Sequence, residues 1–376
     1  MKKKILLLVV LSQSLFSWGQ TQLPLSSPSN NLKAEIQVGT ENLSISLYSE
    51  NQKLLETKTL QFEWDKNIIQ GDWQLKHATT DEVRSSWMPV YGENSQVKDC
   101  YNALYLQLTS SVNEKDVAVD IRLYDEGLAF RYRFDELDFW NHTLAKENTD
   151  FLFPSDYTTW ATDRAQSAFY ETKLSQLKGS LDRPQIVEIH SDQYVAIGEA
   201  ALVDYARMKL KRLSSGYGVT SDLSSKVNLD LANYQSPWRY VMVGSNPGEF
   251  VQNNYFVLNL NEPNQLERTD WIKPGNVIRE VTLTTVGGLA CVDFAVANGI
   301  EYVEFDAGWY GPENDPKSDA TTVTLDPARS KGELDLQKVI DYGKQKGVGI
   351  ILYVNMKALK NQLDEILPLY KKWGVR

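Results

Sequence analysis

Apolar and polar residues alternate along much of this chain between about residue 30 and about residue 260. The clearest pair of alternating segments is 117–123 and 128–134, joined by the turn residues Asp125, Glu126 and Gly127. A period of two predicts half-buried antiparallel strands, because successive side chains of a strand point to opposite faces of the sheet. Further strands are predicted over residues 43–47, 104–108, 185–189, 194–197, 208–213 and 239–243. Many strands and few helical stretches favour a large β-sandwich.

Beyond two turn-rich segments, 259–263 and 271–275, the spacing of apolar residues becomes helical. Two short and almost wholly apolar segments, 300–305 and 348–354, read as parallel strands buried on both faces. Three helical stripes alternate with them, at residues 289–296 before Gly299, at 336–343 between Asp335 and Gly347, and at 359–370 before Gly374. The capping residues at these positions are those that begin and end helices.

This order of strands and helices is how (β/α)8 barrels are built, but about three units cannot close a barrel that needs eight. We therefore expect a β + α/β fold, in which a sandwich is followed by the first part of a barrel. We also expect the chain to be the amino-terminal part of a longer protein. The expected divisions are a signal peptide at residues 1–20, a sandwich at 21–278 and an incomplete barrel at 279–376. A small open α/β sheet capped by the sandwich is the alternative.

The first 20 residues are predicted to direct export. Lys2, Lys3 and Lys4 precede an apolar run over residues 5–11, and residues 17–19 offer a small-residue cleavage site. The apolar run is too short to span a bilayer as a helix. We expect a secreted or periplasmic protein without a membrane anchor.

The acidic composition narrows the range of partners. The chain has 49 acidic and 39 basic residues and a pI of about 5.0, which argues against binding to the phosphate backbone of nucleic acids. Cys100 and Cys291 are its only cysteines and are predicted to be buried thiols in different domains. The three histidines lack the spacing of a zinc site or of a His-based triad and are His77, His142 and His190.

A candidate for sugar recognition lies where the predicted strand 300–305 ends. Asp306 is followed there by a small residue, a glycine, Trp309 and Tyr310. The carboxyl ends of barrel strands carry the chemistry, and there a carboxylate accepts hydroxyl hydrogen bonds while a flat ring stacks on a pyranose face. An Asp that lines the core and a Trp packed under the neighbouring loop explain the same residues equally well.

Several segments together resemble glycoside hydrolase family 97, the exported α-glycosidases of gut and environmental bacteria. The resemblance covers nearly the whole chain after residue 20 and rests on the order and spacing of its blocks. These blocks are Val90-Tyr91-Gly92-Glu93, residues 124–132, residues 197–202, Pro237-Trp238-Arg239, residues 271–275 and residues 304–313.

The resemblance implies an amino-terminal β super-sandwich, a (β/α)8 barrel and a small carboxyl-terminal β domain, with Ca²⁺ in the active site. Glu199 matches the metal ligand that the sandwich contributes. One carboxylate binds calcium weakly, so the barrel must supply the other ligands. Judged by its position alone, Glu199 is equally well explained as a rim residue paired with Lys209 or Arg207. Gly198 stands where the family usually has histidine.

The resemblance and the strand-end positions together give four candidate substrate contacts, Asp306, Trp309, Asn355 and Lys357. The amide and the ammonium group of the last two suit sugar hydroxyls, although a solvated loop explains them equally well. Trp238 and Arg239 are predicted to be a structural pair, with the guanidinium group stacked on the indole.

In the family, the general acid and the base or nucleophile come from later barrel strands. No catalytic residue is therefore expected before Arg376, and the chain itself is expected to be inactive. The segments 304–311 and 353–357 look more like the α-glucosidase branch of the family. The resemblance thus implies an exo-acting, inverting α-glucosidase that cleaves α-linked oligosaccharides during polysaccharide breakdown. The alternatives are a retaining α-galactosidase, a non-catalytic carbohydrate-binding protein and an inactive paralogue.

Overall fold

The structure is a computed structural model that describes residues 21–376 except 67–70, 113, 135–140 and 231–232. The predicted signal peptide, residues 1–20, therefore lies outside the described residues. The described chain forms two compact units, one up to Gln265 and the other from Leu266. Strand Val277–Glu280 runs across the division expected between residues 278 and 279, because all of it pairs with Tyr302–Phe305 in the second unit. The sandwich domain thus ends earlier than expected.

The first unit consists of two antiparallel sheets. Its strands are β1 (Thr21–Ser26), β2 (Leu32–Val38), β3 (Leu43–Ser49), β4 (Gln52–Trp64), β5 (Trp73–Trp87), β6 (Val97–Ser110), β7 (Asp116–Tyr124), β8 (Gly127–Phe134), β9 (His142–Phe153), β10 (Thr158–Ala161), β11 (Tyr170–Lys173), β12 (Gln185–His190), β13 (Gln193–Ala200), β14 (Met208–Arg212), β15 (Tyr217–Leu223), β16 (Val227–Leu229), β17 (Tyr234–Gln235) and β18 (Trp238–Gly244). The eight-stranded sheet has the order β1-β2-β3-β4-β9-β15-β14, with β16 paired to β9. The ten-stranded sheet has the order β11-β10-β12-β13-β18-β8-β7-β6-β5, with β17 paired to β8.

Apolar side chains from both sheets meet in one core. Leu47 of β3, Val119 of β7 and Ile197 of β13 are fully buried there. In the hairpin β7–β8, Ile121 pairs with Phe130, as the alternating pattern predicts. The predicted β-sandwich is therefore confirmed.

A second apolar cluster lies on the outer face of the ten-stranded sheet, where α1 (Pro247–Gln252) and α2 (Tyr255–Asn259) follow β18. Two guanidinium groups lie over the indole ring of Trp238, those of Arg122 at 4.6 Å and Arg131 at 4.5 Å from the ring centroid. Arg239 is the next residue of β18 and therefore faces the opposite side of the sheet. The predicted stacking of Arg239 on Trp238 is wrong.

The second unit has a parallel sheet of three strands in the described residues. Its elements are β19 (Val277–Glu280), α3 (Thr285–Asn298), β20 (Tyr302–Phe305), α4 (Leu336–Lys346), β21 (Gly349–Leu352) and α5 (Met356–Trp373). Gly299, Gly347 and Gly374 end the helices in the left-handed conformation, as predicted. The register aligns Glu280, Phe305 and Leu352, so the three strands end at one edge.

After α5 the chain returns to this sheet, where the backbone N–H of Arg376 donates to the carbonyl of Ile350 at 3.0 Å. Among the residues that the structure describes, no helix combines the length and apolarity needed to cross a membrane. Cys100 and Cys291 are free thiols, and both are half-buried rather than buried as predicted. Cys100 is half-exposed because β6 pairs there with the edge strand β5.

Candidate functional site

Asp306 directly follows β20, at the edge where the three parallel strands end. Its carboxylate accepts hydrogen bonds from the backbone N–H of Ala307 at 2.8 Å and from the guanidinium group of Arg279 at 3.0 Å. The side chain of Asp306 is 28% exposed and that of Arg279 is 60% exposed. Solvent therefore reaches the pair, and Asp306 remains a predicted substrate contact.

Trp309 is buried, although its sequence context suggested an exposed ring. Its N–H donates to the carbonyl of Tyr353 at 2.8 Å, and its ring packs edge-to-face against Tyr310 and Tyr370. The side chain has no exposed surface in this structure. The ring therefore supports the strand ends from within the core and is not placed to stack on a sugar.

Tyr310 links the ends of β20 and β21. Its hydroxyl accepts a hydrogen bond from the backbone N–H of Asn355 at 2.9 Å, and burial raises the pKa of Tyr310. The side-chain oxygen of Asn355 caps α5 by accepting from the backbone N–H of Lys357 at 2.9 Å. The side chain of Asn355 thus stabilises the start of α5. Lys357, in the first turn of α5, has an exposed side chain.

Three residues at the same edge were not singled out as site residues by sequence. Arg329 donates to the carbonyl of Ala307 at 2.8 Å and lies 3.8 Å from a carboxylate oxygen of Glu313. Burial, together with the nearby carboxylate of Glu313, raises the pKa of Tyr353. Of these residues, only Glu313 could have been found from sequence, because it belongs to the family-like block Gly311-Pro312-Glu313. No motif surrounds Arg329.

A polar pocket of about 380 Å³ opens beside these residues. The loop 312–319 and the first turns of α5 line it, together with Tyr310. Glu313 and Lys357 both face this space, so an acceptor and a donor for hydroxyl groups share one pocket. The structure therefore brings Lys357 together with Tyr310 and Glu313.

Glu199 belongs to the first unit and lies between its two sheets. Its side chain is 2% exposed, and its carboxylate contacts Arg183 at 2.6 Å and Arg239 at 2.7 Å. The backbone N–H of Met208 lies 3.1 Å from each of its oxygens. Burial lowers the pKa of Arg183, and the nearby Glu199 opposes that change.

The surroundings of Glu199 do not by themselves suit a calcium ion. Calcium is bound through oxygen lone pairs. Each carboxylate oxygen of Glu199 already accepts from the N–H of Met208 and lies against one positively charged arginine. In the part of the chain that the structure describes, no three His, Cys, Asp or Glu side chains come together as a ligand set. The alternative pairing is also not seen, since Arg207 contacts Asp182 and Lys209 contacts the backbone of Asp163. Calcium therefore stays a prediction.

A larger cavity of about 710 Å³ lies on the outer face of the ten-stranded sheet. Its lining is mostly apolar, and among the described residues Glu93 is its only carboxylate. Tyr240 of β18 lines it and pairs directly with Gly198 of β13, where a Cβ atom would overlap the tyrosine ring. We regard the smaller pocket as the candidate site, because its polar groups can bind hydroxyls.

Comparison with known families places the chain among the glycoside hydrolases. Residues 25–263 match the model "Glycosyl-hydrolase 97 N-terminal", and residues 276–376 match "Glycoside hydrolase 97". The chain belongs to glycoside hydrolase family 97.

Individual relatives are distant and longer than this chain. A retaining alpha-galactosidase of Bacteroides thetaiotaomicron is 26% identical over all of this chain, which spans 62% of that protein. A family 97 enzyme of Pseudoalteromonas sp. strain K8, solved with acarbose, is 23% identical with a TM-score of 0.80. A beta-arabinopyranosidase is 18% identical with a TM-score of 0.72. The chain is matched over 94% of its length in both structures and covers 58% and 61% of them.

Proposed function

We propose that the whole protein is an exo-acting α-glucosidase that hydrolyses α-linked oligosaccharides with inversion. The observation that carries this proposal is the solvent-accessible Asp306–Arg279 pair at the carboxyl edge of a parallel sheet, in a family 97 chain. Barrel enzymes place their substrates at that edge.

The described residues have a binding and orienting role in this proposal. The guanidinium group of Arg279 and the N–H of Ala307 hold the carboxylate of Asp306 in one orientation. An oriented carboxylate accepts hydrogen bonds from two adjacent sugar hydroxyls, and the ammonium group of Lys357 donates to others. These contacts select the sugar and hold it, while the acid and base of the reaction are assigned to no described residue.

The choice of α-glucosides is supported by the segments 304–311 and 353–357, which resemble that branch of the family. The Pseudoalteromonas enzyme was solved with acarbose and, as an E480Q variant, with panose. An inverting mechanism needs carboxyl groups roughly 6.5–9.5 Å apart, so that a water molecule fits between base and sugar. Export through residues 1–20 and binding of calcium belong to the same proposal.

A second candidate function is that of a retaining α-galactosidase. Two curated relatives favour it: the Bacteroides thetaiotaomicron enzyme and a probable retaining alpha-galactosidase of Streptomyces bingchenggensis, each 26% identical. A retaining enzyme has its two carboxyl groups about 5–5.5 Å apart.

The decisive experiment compares the whole protein on 4-nitrophenyl α-glucoside and α-galactoside, with proton NMR of the first anomer released. We expect glucose, released as the β-anomer. Galactose released as the α-anomer would establish the second candidate instead. If the protein binds maltotriose but hydrolyses neither compound, it is a carbohydrate-binding protein and not an enzyme of either kind.

A further inference from the structure

We propose that the pocket between the loop 312–319 and α5 is a subsite for one pyranose unit of the oligosaccharide, with Glu313 and Lys357 as its hydroxyl contacts. The inference rests on the proposed function, because it takes the substrate class from it. It adds the place where a unit binds and two residues that determine specificity there. The pocket volume of about 380 Å³ falls within the size range of small-ligand sites.

Glu313 lies beside one charged group and keeps its capacity to accept hydrogen bonds. Its carboxylate lies 3.8 Å from the guanidinium group of Arg329. Arg329 is itself fixed by its hydrogen bond to the carbonyl of Ala307. A carboxylate offers about four lone-pair positions, so this neighbour does not exhaust its capacity to accept hydrogen bonds. The side chain is 24% exposed, which leaves it accessible to a ligand.

The wall opposite the loop is also fixed in advance. The side-chain amide of Gln362 donates to Asp319 at 2.6 Å, and its carbonyl accepts from the N–H of Ala320 at 3.1 Å. Gln362 has a φ of −126°, so α5 bends at this residue. The bend lets a residue of α5 close both hydrogen bonds with the loop. Walls that are ordered before binding reduce the entropy lost when a ligand binds.

The charges of the lining favour a neutral polyhydroxy ligand. Carboxylates from Glu313, Asp315 and Asp319 oppose an anion, and the ammonium groups of Lys317 and Lys357 oppose a cation. A sugar hydroxyl is both donor and acceptor, so it matches a pocket that offers both kinds of partner.

The test measures binding of maltotriose, raffinose and cellotriose to the 376-residue chain by titration calorimetry. Glu313→Gln and Lys357→Met are compared with Glu365→Gln, a matched control on the exposed side of α5. We expect wild type and control to bind maltotriose best. We expect each pocket variant to lose about tenfold in affinity, since each removes a hydrogen bond to a charged group.

The outcomes separate this inference from the proposed function. Absence of binding by the wild type, or equal binding by all variants, would overturn the subsite. Tighter binding of raffinose would overturn its assignment to α-glucosides. Loss of binding in both pocket variants supports the subsite even if the whole protein hydrolyses nothing. If Glu313→Gln lowers the melting temperature, the result for Lys357→Met decides between the outcomes, because the side chain of Lys357 is exposed to solvent and its loss should not destabilise the fold.

Discussion

The guanidinium group of Arg239 in the ten-stranded sheet forms two hydrogen bonds with the carboxylate of Glu147 in the eight-stranded sheet, at 2.8 and 2.7 Å. Both side chains are buried. The hydroxyl of Tyr205 donates to the same carboxylate at 2.8 Å, and Arg239 also reaches Glu199. The two sheets are therefore joined by a compensated ionic network within an otherwise apolar core.

Glu147→Ala should strongly destabilise the first unit. It leaves the guanidinium group of Arg239 with one carboxylate instead of two, and breaking a buried pair lowers the free energy of unfolding by about 3–5 kcal/mol. Urea denaturation followed by tryptophan fluorescence measures this. Glu63→Ala, which removes an exposed pair with Lys146, is the control and should lower it by less than about 1 kcal/mol. Equal losses in the two variants would contradict the role of the buried pair.

Glu199→Gln tests the calcium prediction in the whole protein. A neutral amide is a weaker calcium ligand than a carboxylate, so calcium affinity and hydrolysis should fall and excess calcium should partly restore activity. Asp182→Asn is the control, since Asp182 contacts Arg183 without being a predicted ligand. An unchanged calcium titration would remove Glu199 from the metal site and leave it as the partner of Arg183 and Arg239.

Trp309→Ala should destabilise the second unit by about 3–5 kcal/mol, because it opens a cavity in the core. Trp271→Ala is the comparison, since that side chain is 63% exposed and its loss should change stability by less than about 1 kcal/mol. Thermal unfolding measures both. If the Trp309→Ala variant were as stable as the wild type but no longer bound sugar, Trp309 would be a substrate contact after all.

Asp306→Asn should weaken sugar binding without much loss of stability. The ion pair that it disrupts is solvent-exposed, and such pairs contribute about 0–1 kcal/mol. Calorimetric titration with maltotriose and thermal unfolding of the same sample give both quantities. Arg279→Gln, which removes only the partner, should have a smaller effect on binding. A large fall in melting temperature with unchanged affinity would assign Asp306 to the core instead.

The attachment of the loop to α5 should weaken in acid. Hydrogen bonds from Thr321 and Gln362 lower the pKa of Asp319 below its ordinary value of 3.8. Because the folded pKa is the lower one, the stabilisation is complete above about pH 3.8 and is lost as the pH falls through the folded value. Hydrogen exchange at Ala320, whose N–H is bonded to Gln362, follows this loss. Asp319→Asn should remove the pH dependence, and an identical profile in that variant would contradict the assignment.

The sequence predicted where strands and helices lie better than it predicted which strands pair with each other. The hairpin β7–β8 and the glycine ends of α3, α4 and α5 depend on local rules, namely alternation and capping. β19 has no such signal, because only Val277 and Ile278 of its four residues are apolar. It is a strand because it pairs with β20.

In the candidate site, too, local sequence rules predicted positions along the chain but not contacts between distant residues. Asp306 and Lys357 follow apolar strands and could be placed at the carboxyl edge from sequence. The burial of Trp309 depends on Tyr370, which lies far along the chain, and the stacking on Trp238 depends on Arg122 and Arg131 from two other strands. A local pattern shows which face a residue occupies but not which side chains cover it.

The direct pairing of Gly198 with Tyr240 has a consequence for how the two positions can change. A side chain at position 198, such as the histidine usual in the family, needs the volume that the Tyr240 ring now fills. Either substitution made alone leaves a clash or a void, whereas a larger residue at 198 with a smaller one at 240 keeps the volume filled. In related sequences the sizes of these two residues should therefore vary inversely, as a covarying pair across neighbouring strands.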